Sequence, residues 1–142
     1  MDAPQIHYAT SADGTRIACY CIGSGPPLIS FSPMPSHLRV AWEPESERAD
    51  ALRWAQNFSL IKFDMRGSGL SQRGQVTHSL QAYVEDIVAV LDTLGFERVS
   101  LNAPGGSARQ AVAFAAQQPD RVDKLVLFSA FGGLLWYSLQ QN

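Results

Sequence analysis

Apolar and polar positions recur with two different periods along the chain, and the two periods predict helices and strands. Residues 79–94 carry apolar side chains every three or four positions, which predicts an amphipathic helix that ends at Gly95. Two further helices are predicted over residues 45–58 and 106–117, and Pro119 follows the second of them. Short apolar runs separate these helices, and we expect them to form buried strands at residues 28–32, 59–64, 98–103 and 124–130.

The first part of the chain predicts an antiparallel hairpin. Residues 6–9 and 16–21 are rich in strand-forming side chains, and Asp13 and Gly14 between them give a strong turn signal. Strands then alternate with helices, and the connections are long enough for parallel crossovers. The predicted fold class is therefore α/β, with a mostly parallel sheet, helices on both faces and an antiparallel N-terminal hairpin. We expect residues 1–142 to form a single domain, because a chain of this length suits one hydrophobic core.

Composition and charge narrow the function classes. Hydrophobic residues make up 46% and charged residues 17% of the sequence, as in ordinary soluble globular proteins. The net charge of −2 and the scattered basic residues give no pull toward nucleic acid, and no segment has the apolar length of a membrane span. We expect no membrane or nucleic-acid partner, no metal, no cofactor and a cytoplasmic location. Cys19 and Cys21 are interpreted as packing residues, because two thiols without further ligands make a poor zinc site.

Two segments carry recognisable patterns. The segment "FDMRGSGLS" fits D-x-R-G-x-G-x-S, and "LNAPGGSARQ" lies where a strand ends and a helix begins. Together with the "PDRV" turn that follows, and in this order, they resemble the α/β-hydrolase fold over nearly the whole chain. The resemblance implies a structural loop in which glycines allow a tight turn and charged side chains hold the backbone, built from Asp64, Arg66, Gly67, Gly69 and Ser71. For Asp64, a hydrogen bond to the loop or an ion pair with Arg66 is favoured over a catalytic role.

The N-terminal stretch resembles a subgroup of this fold. "IHYATSADGTRIA", with "GPPL" after it, is similar to the N-terminal modules of bacterial cyclase or LuxR-type regulators, in which the usual nucleophile motif is lost. The resemblance implies an incomplete α/β-hydrolase fold in residues 1–142, without the cap and the last two strands. Those strands precede the acid and the base of the catalytic triad. The resemblance also implies a role in binding a small molecule or in regulation.

The strand-to-helix turn departs from the pattern of the family. The family places its nucleophilic serine in a G-x-S-x-G motif, and this sequence contains no such pentapeptide. Counting back from Pro119 puts Gly105 at the nucleophile position. Glycine adopts the positive φ of that turn without strain, so it would keep the shape of the turn and remove the hydroxyl. Ser107 is the displaced alternative as catalytic nucleophile, but a shifted register would put Arg109 where a small residue must pack. We therefore expect a catalytically degenerate turn, with Ser107 favoured in a helix-start role.

The same turn would still offer backbone donors to a ligand. In this family an oxyanion is held by the N–H after the nucleophile, here Gly106, and by an N–H after the third strand. Pro33 has no N–H at that place, and Met34 could serve instead. Of the three histidines, His37 is best placed to line the pocket. The candidate site, for a small apolar or anionic ligand, thus consists of Met34, His37, Gly105, Gly106 and Ser107.

Three functions stay open on these residues. The favoured one is a non-enzymatic binding or regulatory module. The alternative is a serine-type ester hydrolase that uses Ser107 or residues of a partner chain. The third is a fragment that self-associates as a homodimer, because the predicted strand at residues 124–130 is an apolar edge without a neighbour. The apolar tail at residues 131–137 would add to such association.

Overall fold

A computed structural model describes residues 2–130 of the chain. Its strands are β1 (His7–Thr10), β2 (Arg16–Ile22), β3 (Pro27–Ser30), β4 (Ser59–Phe63), β5 (Val99–Pro104) and β6 (Val122–Phe128). Its helices are α1 (Glu45–Ala55), α2 (Leu80–Leu94) and α3 (Ala108–Gln117), with short 3-10 turns at Val40–Trp42, Gly105–Ser107 and Pro119–Arg121. The strands form one sheet in the order β1-β2-β4-β3-β5-β6.

The sheet combines an antiparallel edge with a parallel body. β1 pairs with β2 and β2 with β4 in antiparallel fashion, whereas β4, β3, β5 and β6 pair in parallel. The hairpin turn forms at Gly14, which has a φ of 85°, and the Asp13 carboxylate accepts a hydrogen bond from the Thr15 N–H at 3.0 Å. The predicted α/β class, with a mostly parallel sheet and an N-terminal hairpin, is confirmed.

Helices cover both faces of the sheet. Alternating side chains of each strand point to opposite faces. One face packs against α2 and α3, in a core that includes Ile29, Ile61, Leu101, Ile87 and Phe114. The other face packs on α1 and the turn before it, through Leu28, Leu60, Trp42 and Ala51.

The sequence signals at the ends of α2 correspond to real caps. The Ser79 hydroxyl accepts a hydrogen bond from the Ala82 N–H at 3.1 Å, and Gly95 closes the helix with a φ of 79°. A serine at the start and a left-handed glycine at the end satisfy backbone groups that the helix itself leaves unpaired. None of the helices in residues 2–130 is long and apolar enough to cross a membrane.

Two helices are shorter than predicted, each for a local reason. The helix predicted over residues 45–58 ends at Ala55, because the next two N–H groups bond to carbonyls only three residues back, Gln56 to Arg53 at 3.4 Å and Asn57 to Trp54 at 3.1 Å, in a turn that leads into β4. The helix predicted from residue 106 begins at Ala108, because Gly105–Ser107 form a 3-10 turn.

β6 lies at one end of the sheet in residues 2–130, and β1 lies at the other end. β6 spans Val122–Phe128 rather than residues 124–130, and Ser129 turns the chain away with a φ of 46°. Its apolar side chains from Leu125 to Phe128 are 36% to 68% exposed within the described part of the chain. The predicted apolar tail at residues 131–137 lies outside the described residues.

Candidate functional site

The loop after β4 is organised around the carboxylate of Asp64, which is fully buried. Its Oδ1 accepts from the Ser36 hydroxyl at 2.8 Å, and its Oδ2 accepts from the N–H groups of Leu38 at 3.1 Å and Leu70 at 2.8 Å. A side chain at Gly69, which has a φ of 54°, would collide with this carboxylate. Asp64 therefore fastens the loop after β3 to the loop after β4.

Two serines extend this attachment. The Ser71 hydroxyl donates to the Asp64 carbonyl at 2.6 Å and accepts from the Ala18 N–H at 2.8 Å. The Ser68 hydroxyl donates to the Ser36 carbonyl at 2.8 Å. Gly67 turns the backbone with a φ of 80°. Of the predicted residues of the structural loop, Asp64, Gly67, Gly69 and Ser71 thus belong to one unit that is bonded to the loop after β3.

Arg66 points away from that unit into a second network. The guanidinium is fully buried and binds the Asp86 carboxylate through Nε at 2.8 Å and Nη2 at 2.6 Å. Its Nη1 binds Asp13 at 2.6 Å and the Thr77 carbonyl at 2.9 Å. Within residues 2–130, Asp64 and Arg66 have these separate partners and do not pair with each other. The hydrogen bond from Arg66 lowers the pKa of the Asp13 carboxyl well below its ordinary range.

The turn between β5 and α3 is held by fewer bonds. Gly105 has a φ of 57°, the left-handed region that favours glycine. The Ser107 hydroxyl donates to the Pro104 carbonyl at 2.6 Å, and the backbone of Ser107 is already helical. Gly106 is exposed. The turn therefore presents backbone N–H groups at the start of a ten-residue helix, where the helix leaves its first donors without internal acceptors.

The candidate ligand residues do not form one pocket in the described structure. A cavity of about 530 Å³ lies between the sheet, the loop after β3 and α1, and His37 lines it. The His37 ring accepts a hydrogen bond from the Val40 N–H at 3.4 Å. The remaining candidates, Met34, Gly105, Gly106 and Ser107, are not part of the described wall of this cavity. Met34 is 56% exposed.

A second, mainly apolar cavity of about 410 Å³ lies beside the turn. Ala108, the residue directly after Ser107, is part of its wall, together with Arg109 and Val112 of α3. Leu80 and Leu127 close it from α2 and β6. The described residues therefore place the turn next to an apolar cavity and His37 beside a different one.

Solved structures share the fold of this chain. No protein-family model matches the sequence. The epoxide hydrolase CorEH superposes with a TM-score of 0.77 at 25% identity, over 92% of this chain and 44% of that chain. This chain has a partial α/β-hydrolase fold. Within residues 2–130 no group of three or more His, Cys, Asp or Glu side chains is arranged to hold a metal ion.

Several curated relatives carry hydrolase names. The chain is 32% identical over 136 residues to 2-hydroxymuconate semialdehyde hydrolase of Pseudomonas putida, which covers 93% of this chain and 46% of the relative. It is 32% identical over 104 residues to 2-(acetamidomethylene)succinate hydrolase of Mesorhizobium japonicum, which covers 73% of this chain and 35% of the relative. The chain thus spans less than half the length of these relatives.

These relatives correct one prediction. The expectation of a catalytically degenerate binding or regulatory module is wrong, because the similarity points to hydrolase activity. The prediction gave a single position, Gly105, more weight than a similarity that extends over 93% of the chain. The finer resemblance to regulator modules has no support among these relatives.

Sequence reasoning also missed a charged residue that lines the larger cavity. Lys62 lies in β4, is half-buried and lines the cavity beside His37. Burial lowers the pKa of its ammonium group, and the negative charges of Asp50 and Glu47 partly oppose that shift. The sequence did contain a signal for this residue. Lys62 interrupts the apolar run of residues 59–64, and a lysine is rare in a buried strand unless its charge is paired.

Proposed function

We propose that this chain is part of a hydrolase that attacks a carbonyl carbon at the turn Gly105–Ser107. The observation that carries the proposal is the left-handed Gly105 between a parallel strand and a helix, with a φ of 57°. In the α/β-hydrolase fold that sharp turn is where the nucleophile and an oxyanion donor meet. The hydrolase names of the relatives support the reaction class.

Two backbone donors would bind the developing oxyanion. The Gly106 N–H lies at the start of α3, where the helix dipole favours negative charge. The Met34 N–H would supply the second donor from the loop after β3. Asp64 fixes that loop two residues beyond Met34, through the Ser36 hydroxyl at 2.8 Å. Asp64 is thus proposed as a positioning residue for the oxyanion donors.

The proposed nucleophile is the Ser107 hydroxyl, since Gly105 has no side chain to react. Ser107 Oγ would attack the carbonyl carbon, give its proton to a base and expel the leaving group, and water would then release the acyl group. In the described conformation that hydroxyl donates to the Pro104 carbonyl at 2.6 Å. Attack therefore requires Ser107 to rotate about χ1 and exchange this bond for one to a base.

The apolar cavity beside the turn suggests the substrate class. Its wall is made of small and aliphatic side chains such as Val112 and Leu127, with Arg109 as its one charged residue in the described structure. Pockets of this kind bind the apolar part of a ligand and use a few polar groups to orient it. We propose esters or related acyl compounds with a short apolar acyl group as substrates.

Turnover of p-nitrophenyl acetate, butyrate and octanoate tests this proposal. The wild-type chain is compared with Ser107→Ala and with Ser100→Ala, which removes another half-buried hydroxyl at the same strand. We expect turnover by wild type and by Ser100→Ala, and its loss in Ser107→Ala. A folded wild-type chain that cleaves none of the three esters would contradict the hydrolase proposal. Turnover that survives in Ser107→Ala would contradict the role of that serine.

Predictions about the surroundings of the protein stay predictions. They are the cytoplasmic location, the absence of nucleic-acid and membrane partners, and a single domain over residues 1–142. A homodimer through the exposed edge of β6 is a further proposal, supported by the exposure of Val126 and Phe128 at 55% and 68%.

A further inference from the structure

The larger cavity contains an amine that the proposed reaction does not use. The cavity, of about 530 Å³, is walled by Tyr20 and Lys62 from the sheet, by the loop after β3 and by α1. Tyr20 and Lys62 lie side by side, because they are paired residues of the antiparallel strands β2 and β4. Side chains at such paired positions share one face of the sheet and contact each other.

The amine of Lys62 lacks a close counter-ion. Its one described hydrogen bond, to the Ser30 hydroxyl, is long at 3.4 Å. Within residues 2–130 no carboxylate lies within 4.0 Å of it, although the exposed Glu47 and Asp50 line the same cavity. An amine that is partly desolvated without a paired carboxylate loses part of the stabilisation of its charged form. The pKa of Lys62 is accordingly lowered.

The wall around this amine is aromatic and offers hydrogen-bond donors. Tyr20 is 5% exposed, and its ring meets the Trp42 ring edge to face at 6.2 Å between centroids. Burial raises the pKa of the Tyr20 phenol to about 12, so the phenol stays protonated at neutral pH. The Trp42 indole N–H is buried and has no hydrogen-bond partner within residues 2–130. An oxygen atom of a ligand in the cavity could accept from the Tyr20 phenol, whereas the indole N–H of Trp42 is buried within the wall.

We propose that Lys62 is a nucleophilic amine that forms a reversible imine with aldehydes or ketones bound in this cavity. A neutral lysine amine is a carbonyl nucleophile, and a desolvated pocket is the environment that activates it. The aromatic and proline side chains of the wall fit an apolar body attached to the carbonyl group. The carboxylates of Glu47 and Asp50 line the cavity and favour a neutral carbonyl compound over an anionic ligand.

The step is balanced without any co-reactant. The nitrogen lone pair of Lys62 adds to the carbonyl carbon, and one proton moves from nitrogen to the former carbonyl oxygen. The carbinolamine then loses that oxygen as water and leaves a carbon–nitrogen double bond. The Tyr20 phenol, on the residue paired with Lys62, would donate a proton to the departing oxygen and then take the remaining proton from nitrogen, which leaves the neutral imine.

Reductive trapping with benzaldehyde and cyanoborohydride at neutral pH tests the proposal. The sequence contains two lysines, Lys62 and Lys124, and Lys124 is exposed on β6. It is therefore an internal control for an ordinary amine in the same sample. We expect peptide mapping to show a several-fold excess of benzylated Lys62 over benzylated Lys124, with the α-amino group mapped separately.

Two variants keep the test decisive. Lys62→Arg keeps the positive charge but cannot form an imine, so it should lose the trapped adduct and the affinity for benzaldehyde. Lys124→Arg should keep both. Circular dichroism checks that each variant is folded. Equal labelling of the two lysines, or benzaldehyde binding that survives in Lys62→Arg, would overturn the proposal.

This inference is independent of the proposed hydrolase reaction. The described wall of the cavity does not include Gly105, Gly106 or Ser107. Loss of ester turnover in Ser107→Ala should therefore leave the trapping at Lys62 unchanged. A chain that cleaves no ester but traps benzaldehyde at Lys62 would contradict the first proposal and support the second.

Discussion

The loops after β4 and β5 leave the same edge of the sheet, since both strands run parallel to β3. They are nevertheless held in different ways. The loop after β4 rests on two fully buried charged side chains, Asp64 and Arg66. They bind groups from three other parts of the chain, namely the loop after β3, the hairpin turn and α2. The turn after β5 rests on the conformation of Gly105 and one bond from Ser107 to the Pro104 carbonyl.

The difference in hydrogen bonding indicates different roles for the two loops. A dense network of buried polar groups fixes a single geometry. Moving one group away leaves its buried partner without a hydrogen bond, and this destabilises the folded state. A turn with few internal bonds leaves its backbone donors available to a substrate, and its hydroxyl has one hydrogen bond to exchange before it can react. In this chain the charged motif thus holds the loops in place, and the sparsely bonded turn carries the groups that we propose to react.

The largest effect is expected from Arg66→Met. This change leaves Asp86, which is 2% exposed, buried without its partner, and breaking a buried pair in this way costs about 3–5 kcal/mol. Urea unfolding followed by circular dichroism measures the loss. The matched control is Arg53→Met, because Arg53 is 75% exposed and 3.8 Å from Asp50, and such pairs contribute about 0–1 kcal/mol. Equal losses of unfolding free energy in the two variants would show that the buried network around Arg66 stabilises the protein no more than an exposed ion pair does.

The next effect is expected from Asp64→Asn. Three donors converge on the carboxylate, and an amide offers only one acceptor oxygen, so at least one buried donor is left unsatisfied at a cost of about 1–3 kcal/mol. If Asp64 positions the Met34 N–H, kcat for p-nitrophenyl esters should also fall while KM changes little. Asp50→Asn, an exposed carboxylate, is the control. A loss of stability with no change in kcat would break the link between the loop and the oxyanion donors.

A smaller effect is expected from Gly105→Ala. The φ of 57° costs an alanine about 1–2 kcal/mol relative to glycine. Gly106→Ala is the matched control, since Gly106 is not among the glycines with a positive φ. Chemical denaturation should therefore separate two neighbouring glycines. Equal free energies of unfolding for the two variants would mean that the left-handed turn is not retained in solution.

The smallest effect is expected from Asp13→Asn and depends on pH. The folded-state pKa of Asp13 is depressed from its ordinary value of 3.8, so its contribution to stability is present above that value and is lost as pH falls toward the folded-state pKa. The difference in the free energy of unfolding between wild type and Asp13→Asn should therefore shrink below about pH 3.8. A difference that stays constant as the pH falls from neutrality into this acid range would show that the hydrogen bond to Arg66 adds nothing.

Much of the fold could be predicted from the sequence because local signals and packing agree. The period of α2 coincides with its serine and glycine caps, and the turn at Asp13 and Gly14 lies between alternating strands. The end of α1 could not be predicted, because Phe58 continues the apolar period although the N–H groups of Gln56 and Asn57 already bond three residues back in a turn. The hydrogen-bond partners of Arg66 could not be predicted either, because Asp13 and Asp86 lie far from it in sequence.

The candidate site was less accessible to sequence reasoning. The left-handed conformation of Gly105 followed from the motif alignment, but the separation of His37 from the turn depends on how the loop after β3 folds. Lys62 was overlooked because the apolar residues around it predict a strand but do not indicate that a cavity covers that part of the strand. Cavities form between segments distant in sequence, and no local pattern encodes them.

The most direct test of the central claim is the intact mass of the folded chain after treatment with a fluorophosphonate probe. Such probes react with activated serine hydroxyls. The hydrolase proposal predicts one covalent adduct per chain, mapped to Ser107 and absent in Ser107→Ala. An unchanged mass in a sample confirmed to be folded would contradict the claim that the turn after β5 carries an active nucleophile.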